Sequence, residues 1–288
     1  MGRKLIILLG PTAVGKTDYS IDLAVRYGSP VISCDSRQIY KEMSIGTAVP
    51  SEEQLAAVRH YFIQTKSVTD YYTAGLYELE AVALIEKLFD EGHETLVMTG
   101  GSMFYIDAVC NGMADVPSAN MPLREELTRR LAQEGVASLA EELRPLDPKA
   151  YGSIDLNNGA RVLRALEVCL DTGRPFSSFK PDAPKSRSFE IQKVGLCRPR
   201  EALYDRINRR VVSMVENGLI EEARSLYEYR NLTALQTVGY KEMFEYLDNP
   251  GTVSIDETVS RIQQNTRHYA KRQMTWWKRD PSIEWMEL

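Results

Sequence analysis

The stretch Lys4–Thr17, KLIILLGPTAVGKT, decides how the rest of the chain is read. Five apolar residues, Leu5 to Leu9, have the length and content of a buried strand. They run directly into Gly10, Pro11, Thr12, Ala13, Val14, Gly15, Lys16 and Thr17, a complete G-x-x-x-x-G-K-T loop. Ile21, Ala24 and Val25 then recur at helical spacing. In such a loop the glycines let successive backbone N–H groups curl around phosphate oxygens, and the helix N-terminus adds positive potential. Lys16 supplies a full charge, and the Thr17 hydroxyl can ligate Mg²⁺. The usual occupant is a nucleoside triphosphate, so ATP binding is the first expectation.

Short apolar runs continue to alternate with helical patterns. Val31–Cys34 reads as a second strand, Val82, Ile85 and Phe89 mark a helix ended by Gly92, and Thr95–Met98 reads as a third strand stopped by Gly100 and Gly101. This predicts an α/β core of the P-loop NTPase type, a parallel sheet with helices on both faces. The texture changes near Asp115. The turn-rich DVPSANMP leads into a wholly helical region, where Asn157 or Asn158 caps a helix that closes at Gly173. After a proline-bearing loop comes the strand-like FEIQKVGLC, and from Pro199 onward the pattern is helical again. The expected organisation is a discontinuous catalytic core, 1–115 with 190–288, interrupted by a helical insertion domain at 116–189.

Composition excludes several classes. The net charge of -5 gives no global signal for nucleic acid. Four dispersed cysteines and three histidines suggest neither a disulfide framework nor a zinc site. No run approaches the roughly 20 apolar residues of a membrane span. A cytoplasmic protein without a membrane partner is expected, and a monomer, since no heptad or interface stripe stands out.

A triphosphate-cleaving enzyme usually carries an Asp at the end of another strand to help hold the metal. The third strand ends in Thr99-Gly100-Gly101-Ser102, without a carboxylate, whereas Asp35 follows the second strand directly. In a parallel sheet, strand C-termini line the ligand crevice, which sets Asp35 one strand over from the loop as a metal ligand or a base. A turn or helix-capping role is the alternative. Arg206 and Arg210, four apart, share a helical face beside the Leu203, Ile207, Val211 stripe. Two guanidiniums so placed suit a diphosphate, but could equally form a solvated face paired with Glu201 or Asp205. The segment Arg261–Arg279 carries six Lys and Arg residues and no acid, with Tyr269, Trp276 and Trp277 interleaved. That combination suits RNA; an amphipathic helix with its tryptophans in the core would explain the aromatics but not the missing carboxylates.

Taken together, GPTAVGKT, SCDSRQIYKEMSIGTAVP, TGGSMFY, RVLRALEV, TVGYKEM and AKRQMTWWKR resemble, in order and along nearly the whole chain, the bacterial tRNA dimethylallyltransferases (tRNA isopentenyltransferases, the IPP transferase family). The resemblance implies transfer of a dimethylallyl group from dimethylallyl diphosphate to the exocyclic N6 amine of the adenosine 3′-adjacent to the anticodon, in tRNAs that read codons starting with U. By that similarity the loop Gly10–Thr17 holds the diphosphate, with Thr17 on Mg²⁺, Arg210 grips it from the other side, and Asp35 serves the adenosine amine. Contacts to the tRNA anticodon stem-loop fall to Asp35, Ser36, Arg37, Gln38, Ser102, Arg124, Arg161 and Arg164. They fall also to Gln236, Thr237, Val238, Gly239, Tyr240 and Lys241, and to Lys271, Arg272, Gln273 and Lys278. The insertion would clamp the stem-loop. Ser102 stands where the family usually has threonine and Val14 where serine is common, and the four dispersed cysteines give no expectation of the zinc finger of eukaryotic members. A P-loop small-molecule or nucleotide kinase is the alternative activity; it would have no need of the basic C-terminal third.

Overall fold

The computed structural model describes residues 2–179 and 183–288. The chain divides into two compact units, Met1–Asn111 with Ser186–Leu288, and Gly112–Lys185. The insertion thus begins and ends four residues before the expected boundaries, because Arg187 already belongs to the first unit. Its guanidinium is bound to the Ala108 and Val109 carbonyls and to buried Glu78.

In the first unit six parallel strands form one sheet of order β3-β2-β4-β1-β5-β6: β1 (Lys4–Leu9), β2 (Val31–Ser33), β3 (His60–Tyr61), β4 (Thr95–Thr99), β5 (Glu190–Cys197) and β6 (Ile283–Glu287). The helices between them are α1 (Lys16–Tyr27), α2 (Glu52–Ala57), α3 (Ala74–Asp90) and α4 (Met103–Asn111). The second unit holds α5 (Met121–Glu134), α6 (Val136–Leu146), α7 (Pro148–Tyr151) and α8 (Gly159–Thr172); after β5 follow α9 (Arg200–Glu216), α10 (Leu219–Ser225), α11 (Tyr240–Asp248) and α12 (Ile255–Trp277).

The alternation of β1 explains the layering, since successive strand side chains point to opposite faces. Leu5, Ile7 and Leu9 join Tyr77, Ala81 and Ile85 of α3 and Ile106 and Val109 of α4. Leu8 faces the other way, with Val14, Leu196, Leu203, Ile207 and Ala270. Both faces are therefore covered, and the P-loop-like α/β class expected from the sequence is the class observed. Asn158 caps α8 by accepting from the Arg161 N–H, and Gly173 closes it at φ 67°. The second unit's own core joins Leu127, Leu139, Leu143, Val162 and Leu166.

Three readings are corrected. Val25, expected on the core face of α1, is 63% exposed. Two strands were missed, β3 because it has two residues, and β6 because the helical reading was carried past Trp277 to the chain's last residues. Finally, β4 lies between β1 and β2, so Asp35 stands two strands from the glycine loop rather than one.

Candidate active site

The loop after β1 is wound by residues in left-handed conformations, Ala13 at φ 63° and Gly15 at φ 114°. It is fastened from four sides. The Thr12 N–H donates to Gln273 Oε1 at 2.9 Å. Arg206 Nε donates to the Ala13 carbonyl at 2.7 Å, and Arg198 Nε to the Val14 carbonyl at 2.8 Å. Arg210 reaches the Thr12 hydroxyl at 3.4 Å. Lys16 Nζ folds back onto the Gly10 and Pro11 carbonyls, both at 2.9 Å. Val14 turns its side chain into the apolar core, so it offers a phosphate only its backbone.

Asp35 follows β2. Its Oδ1 accepts from the Arg37 and Gln38 N–H groups at 2.8 and 3.2 Å, which fixes the carboxylate in a turn. Among the described residues no hydrogen bond reaches Oδ2. The turn role and the site role thus coexist in one side chain. The turn after β4 lies between Asp35 and the glycine loop, with Thr99, Gly100 and Gly101 lining the same cleft, and Gly100 packs so closely on the end of β2 that a Cβ there would lie 2.6 Å from the Cys34 backbone.

Thr12, Ala13, Gly15, Lys16, Thr17, Asp35, Gln38, Arg206, Arg209 and Arg210 line one cleft of about 830 Å³. Its lining joins these cations to the apolar side chains of Ala48, Val49, Pro50 and Ile63. The charged groups sense one another. Burial pushes the Lys16 ammonium down to about 8; Asp35 opposes that shift and Arg210 adds to it. Burial also lowers Arg210, again opposed by Asp35. Arg206 and Arg210 turn toward the loop instead of pairing with Glu201 or Asp205, and so serve the cleft. No group of three His, Cys, Asp or Glu residues able to hold a metal occurs among the described residues.

The expected RNA contacts divide into two sets. Arg161, Gln236, Lys241, Lys271, Arg272 and Lys278 are exposed, and Ser36, Arg37, Thr237 and Val238 partly so. Others have their side chains committed to the protein. Tyr240 is fully buried and donates to Glu222 at 2.6 Å. Gly239 is buried beside it. Gln273 is fully buried, donating to the Gly101 carbonyl at 2.8 Å while holding Thr12. Ser102 bonds the Ser36 backbone and hydroxyl, and Gln38 donates to the Thr47 and Ala48 carbonyls. Arg124 and Arg164 both pair with buried Glu167. Gln38, Arg124 and Arg164 stay partly exposed alongside these bonds, whereas Ser102, Gly239, Tyr240 and Gln273 are buried.

Of the aromatics in the basic segment Trp277 is buried, whereas Trp276 is partly exposed and Tyr269 lines the cleft. Trp277 packs in the core, Tyr269 donates to the Gly101 carbonyl at 3.2 Å and Trp276 to Asp107 at 3.0 Å. Sequence reading also missed Arg198. Its place just after β5, at the carboxyl edge of the sheet, was the available signal. Glu222 gave none.

A family model described as IPP transferase matches residues 38–280. The chain is 54% identical over 281 residues to tRNA dimethylallyltransferase 2 of Porphyromonas gingivalis, covering 98% of this chain and 93% of that one. It is 46% identical over 288 residues to the tRNA dimethylallyltransferase of Christiangramia forsetii, covering 100% and 94%. Among solved structures, the full-length tRNA isopentenylpyrophosphate transferase of Bacillus halodurans aligns with a TM-score of 0.69 at 38% identity, over 99% of this chain and 90% of that one. A eukaryotic dimethylallyltransferase acting on tRNA aligns with a TM-score of 0.82 at 26% identity, over 99% and 74%. None of these similarities favours the kinase alternative.

Proposed function

The chain belongs to the IPP transferase family, and on that premise we propose that its cleft holds dimethylallyl diphosphate against an adenosine of a tRNA. The protein is a prenyltransferase that modifies tRNA. The acceptor is the N6 amine of the adenosine 3′-adjacent to the anticodon, in tRNAs reading codons that start with U. One observation carries the reading: the phosphate cradle with Lys16 and Arg210, and the Asp35 carboxylate, line the same cleft.

An allylic carbon–oxygen bond breaks readily because the positive charge left behind is delocalised. The protein's task is to stabilise charge growing on the diphosphate and to hold the amine in line. Loop N–H groups, Lys16 and Arg210 do the first; each such preorganised donor is worth about 3–4 kcal/mol. The amine nitrogen forms its bond to C1 of the prenyl chain as the C1–O bond breaks and both electrons leave with the diphosphate. The amine proton passes to Asp35 Oδ2, the oxygen without a protein donor. The apolar side chains of Ala48, Val49, Pro50 and Ile63 take the five-carbon chain. The adenine must leave its stack to enter the cleft.

A cation fits the donor set in one way. With no three-ligand cluster among the described residues, Mg²⁺ would be carried mainly by diphosphate oxygens, with the Thr17 hydroxyl at the start of α1 as protein ligand. When bound it neutralises charge on the leaving group. Arg161 of the helical unit, and Lys241, Lys271, Arg272 and Lys278 of the α/β unit, are exposed cations offered to RNA phosphates.

Incubation with labelled dimethylallyl diphosphate and an anticodon stem-loop tests the reading. Label in the RNA is expected, and its loss when the adenosine is replaced by a purine lacking the amine. Label retained by that RNA would refute the acceptor, and phosphate release from ATP coupled to another acceptor would refute the transfer altogether.

A further inference from the structure

Four hydrogen-bond donors converge on one carboxylate at the back of the cleft's rim. Glu222 Oε2 accepts from the Ser44 and Ile45 N–H groups at 2.9 and 2.8 Å. Its Oε1 accepts from the Gly46 N–H at 2.9 Å and from the Tyr240 hydroxyl at 2.6 Å. Glu222 makes no ion pair with a Lys or Arg among the described residues. Its charge is spent on shaping one loop. Gly46 seals the arrangement, since a Cβ there would lie 2.6 Å from the Tyr240 ring.

The loop leads straight to the reacting groups. The next carbonyl, of Thr47, accepts from Arg210 at 3.3 Å and from Gln38 Nε2 at 3.1 Å. The Ala48 carbonyl accepts from the same Gln38 nitrogen at 2.8 Å. The Gln38 N–H in turn donates to Asp35. Ala48 sits at φ 49°, a left-handed conformation that a residue with a side chain keeps only when its surroundings enforce it. Here the Ala48 N–H on the Ile45 carbonyl and the Val49 N–H on the Ser44 carbonyl enforce it, at 3.0 and 3.1 Å.

We infer that Glu222 is a positioning residue for prenyl transfer: by clamping Ser44–Gly46 it aims the Thr47 and Ala48 carbonyls that orient Arg210 and Gln38. The inference rests on the reading above that Arg210 grips the diphosphate. A carboxylate has lone pairs for all four donors; an amide of the same size has one acceptor oxygen and would turn N–H groups toward N–H groups. The clamp therefore needs the acid, not merely its volume.

The test is a double-mutant cycle with Glu222→Gln and Arg210→Lys in single-turnover transfer, beside tRNA binding and thermal melting. Lysine keeps the charge of Arg210 but not the fork that meets Thr47 and Thr12. Glu222→Gln alone is expected to slow transfer roughly 10- to 100-fold, with tRNA affinity intact. Most of that loss should vanish in the Arg210→Lys background, because the aimed group is already gone. A loss of undiminished size there, or no loss in the single variant, would overturn the role assigned to Glu222. Should Glu222→Gln fail to fold, Glu222→Asp, which retains every acceptor on a shorter arm, must show the same dependence on Arg210. Full transfer by Arg210→Lys alone would instead overturn the diphosphate grip, so the two readings fail separately.

Discussion

Replacing Gln273 by leucine separates a structural latch from an RNA contact. The side chain is fully buried and holds two backbone groups, the Thr12 N–H at 2.9 Å and the Gly101 carbonyl at 2.8 Å. Leucine has a similar volume, so no cavity opens, and the cost comes from the partners left behind. Each buried group stripped of its partner costs about 1–3 kcal/mol. Gly101 keeps the Tyr269 hydroxyl at 3.2 Å, and Thr12 borders the cleft, where water can replace the lost acceptor. Both partners therefore fall toward the lower end, for a total of about 2–3 kcal/mol. That is a large share of the roughly 5–15 kcal/mol that holds a domain folded. Urea unfolding should show an earlier midpoint at unchanged slope, and transfer should slow because Thr12 belongs to the phosphate loop. Affinity for the stem-loop should stay as it was. Weakened RNA binding in a variant of undiminished stability would refute the latch and restore Gln273 to the RNA surface.

Asp35→Asn keeps Oδ1 for the Arg37 and Gln38 N–H groups but cannot take a proton; transfer should fall about 10²–10⁴-fold in rapid-quench assays while the stem-loop still binds. Lys16 holds its proton only to about pH 8 in the folded chain against 10.5 ordinarily, so kcat/KM for the diphosphate should decline as pH rises through 8. The stability contribution of the same group runs the other way, because between pH 8 and 10.5 the unfolded chain binds the extra proton and each step upward in pH favours the fold. Lys271→Gln with Arg272→Gln should lower the salt slope of tRNA binding by about 1 per lost phosphate contact, with the largest deficit at low salt in filter-binding titrations.

The α/β class was legible because its signals are local. The run Leu5–Leu9 and the loop after it are contiguous in sequence, and the Leu203, Ile207, Val211 stripe needs only the helical period. Asp35 was legible for a related reason, since its place at a strand's end follows from the same pattern. What escaped depends on strand order or on partners far along the chain. That β4 separates β1 from β2 is a property of the sheet, and the close packing of Gly100 on Cys34 and of Gly101 on Gln273 reads in sequence only as a strand stop. Glu222 meets Ser44, Ile45 and Gly46 across more than 170 positions, with no motif of its own.

The basic segment shows most clearly how composition misleads about individual residues. Arg261–Arg279 contains no acid, yet its residues fall on both sides of α12 and just beyond its end. Thr258, Ile262, Ala270, Gln273 and Trp277 form the sunken side of α12, while Lys271 and Arg272 are exposed. Trp276 and Trp277 were read toward RNA because they stand among cations in the sequence, and Gln273 by the family resemblance, yet neighbours on a helix point about 100° apart. The acid-free composition needs two causes. On the exposed side, under the tRNA-binding role proposed for Lys271 and Arg272, carboxylates would repel the phosphates that those cations attract. On the sunken side, an unpaired carboxylate could not be buried, and at 273 only a side chain with both an acceptor and a donor can meet the Thr12 N–H and the Gly101 carbonyl together. The same helix thereby fixes the glycine loop through Gln273 and leaves Lys271 and Arg272 exposed on its other side.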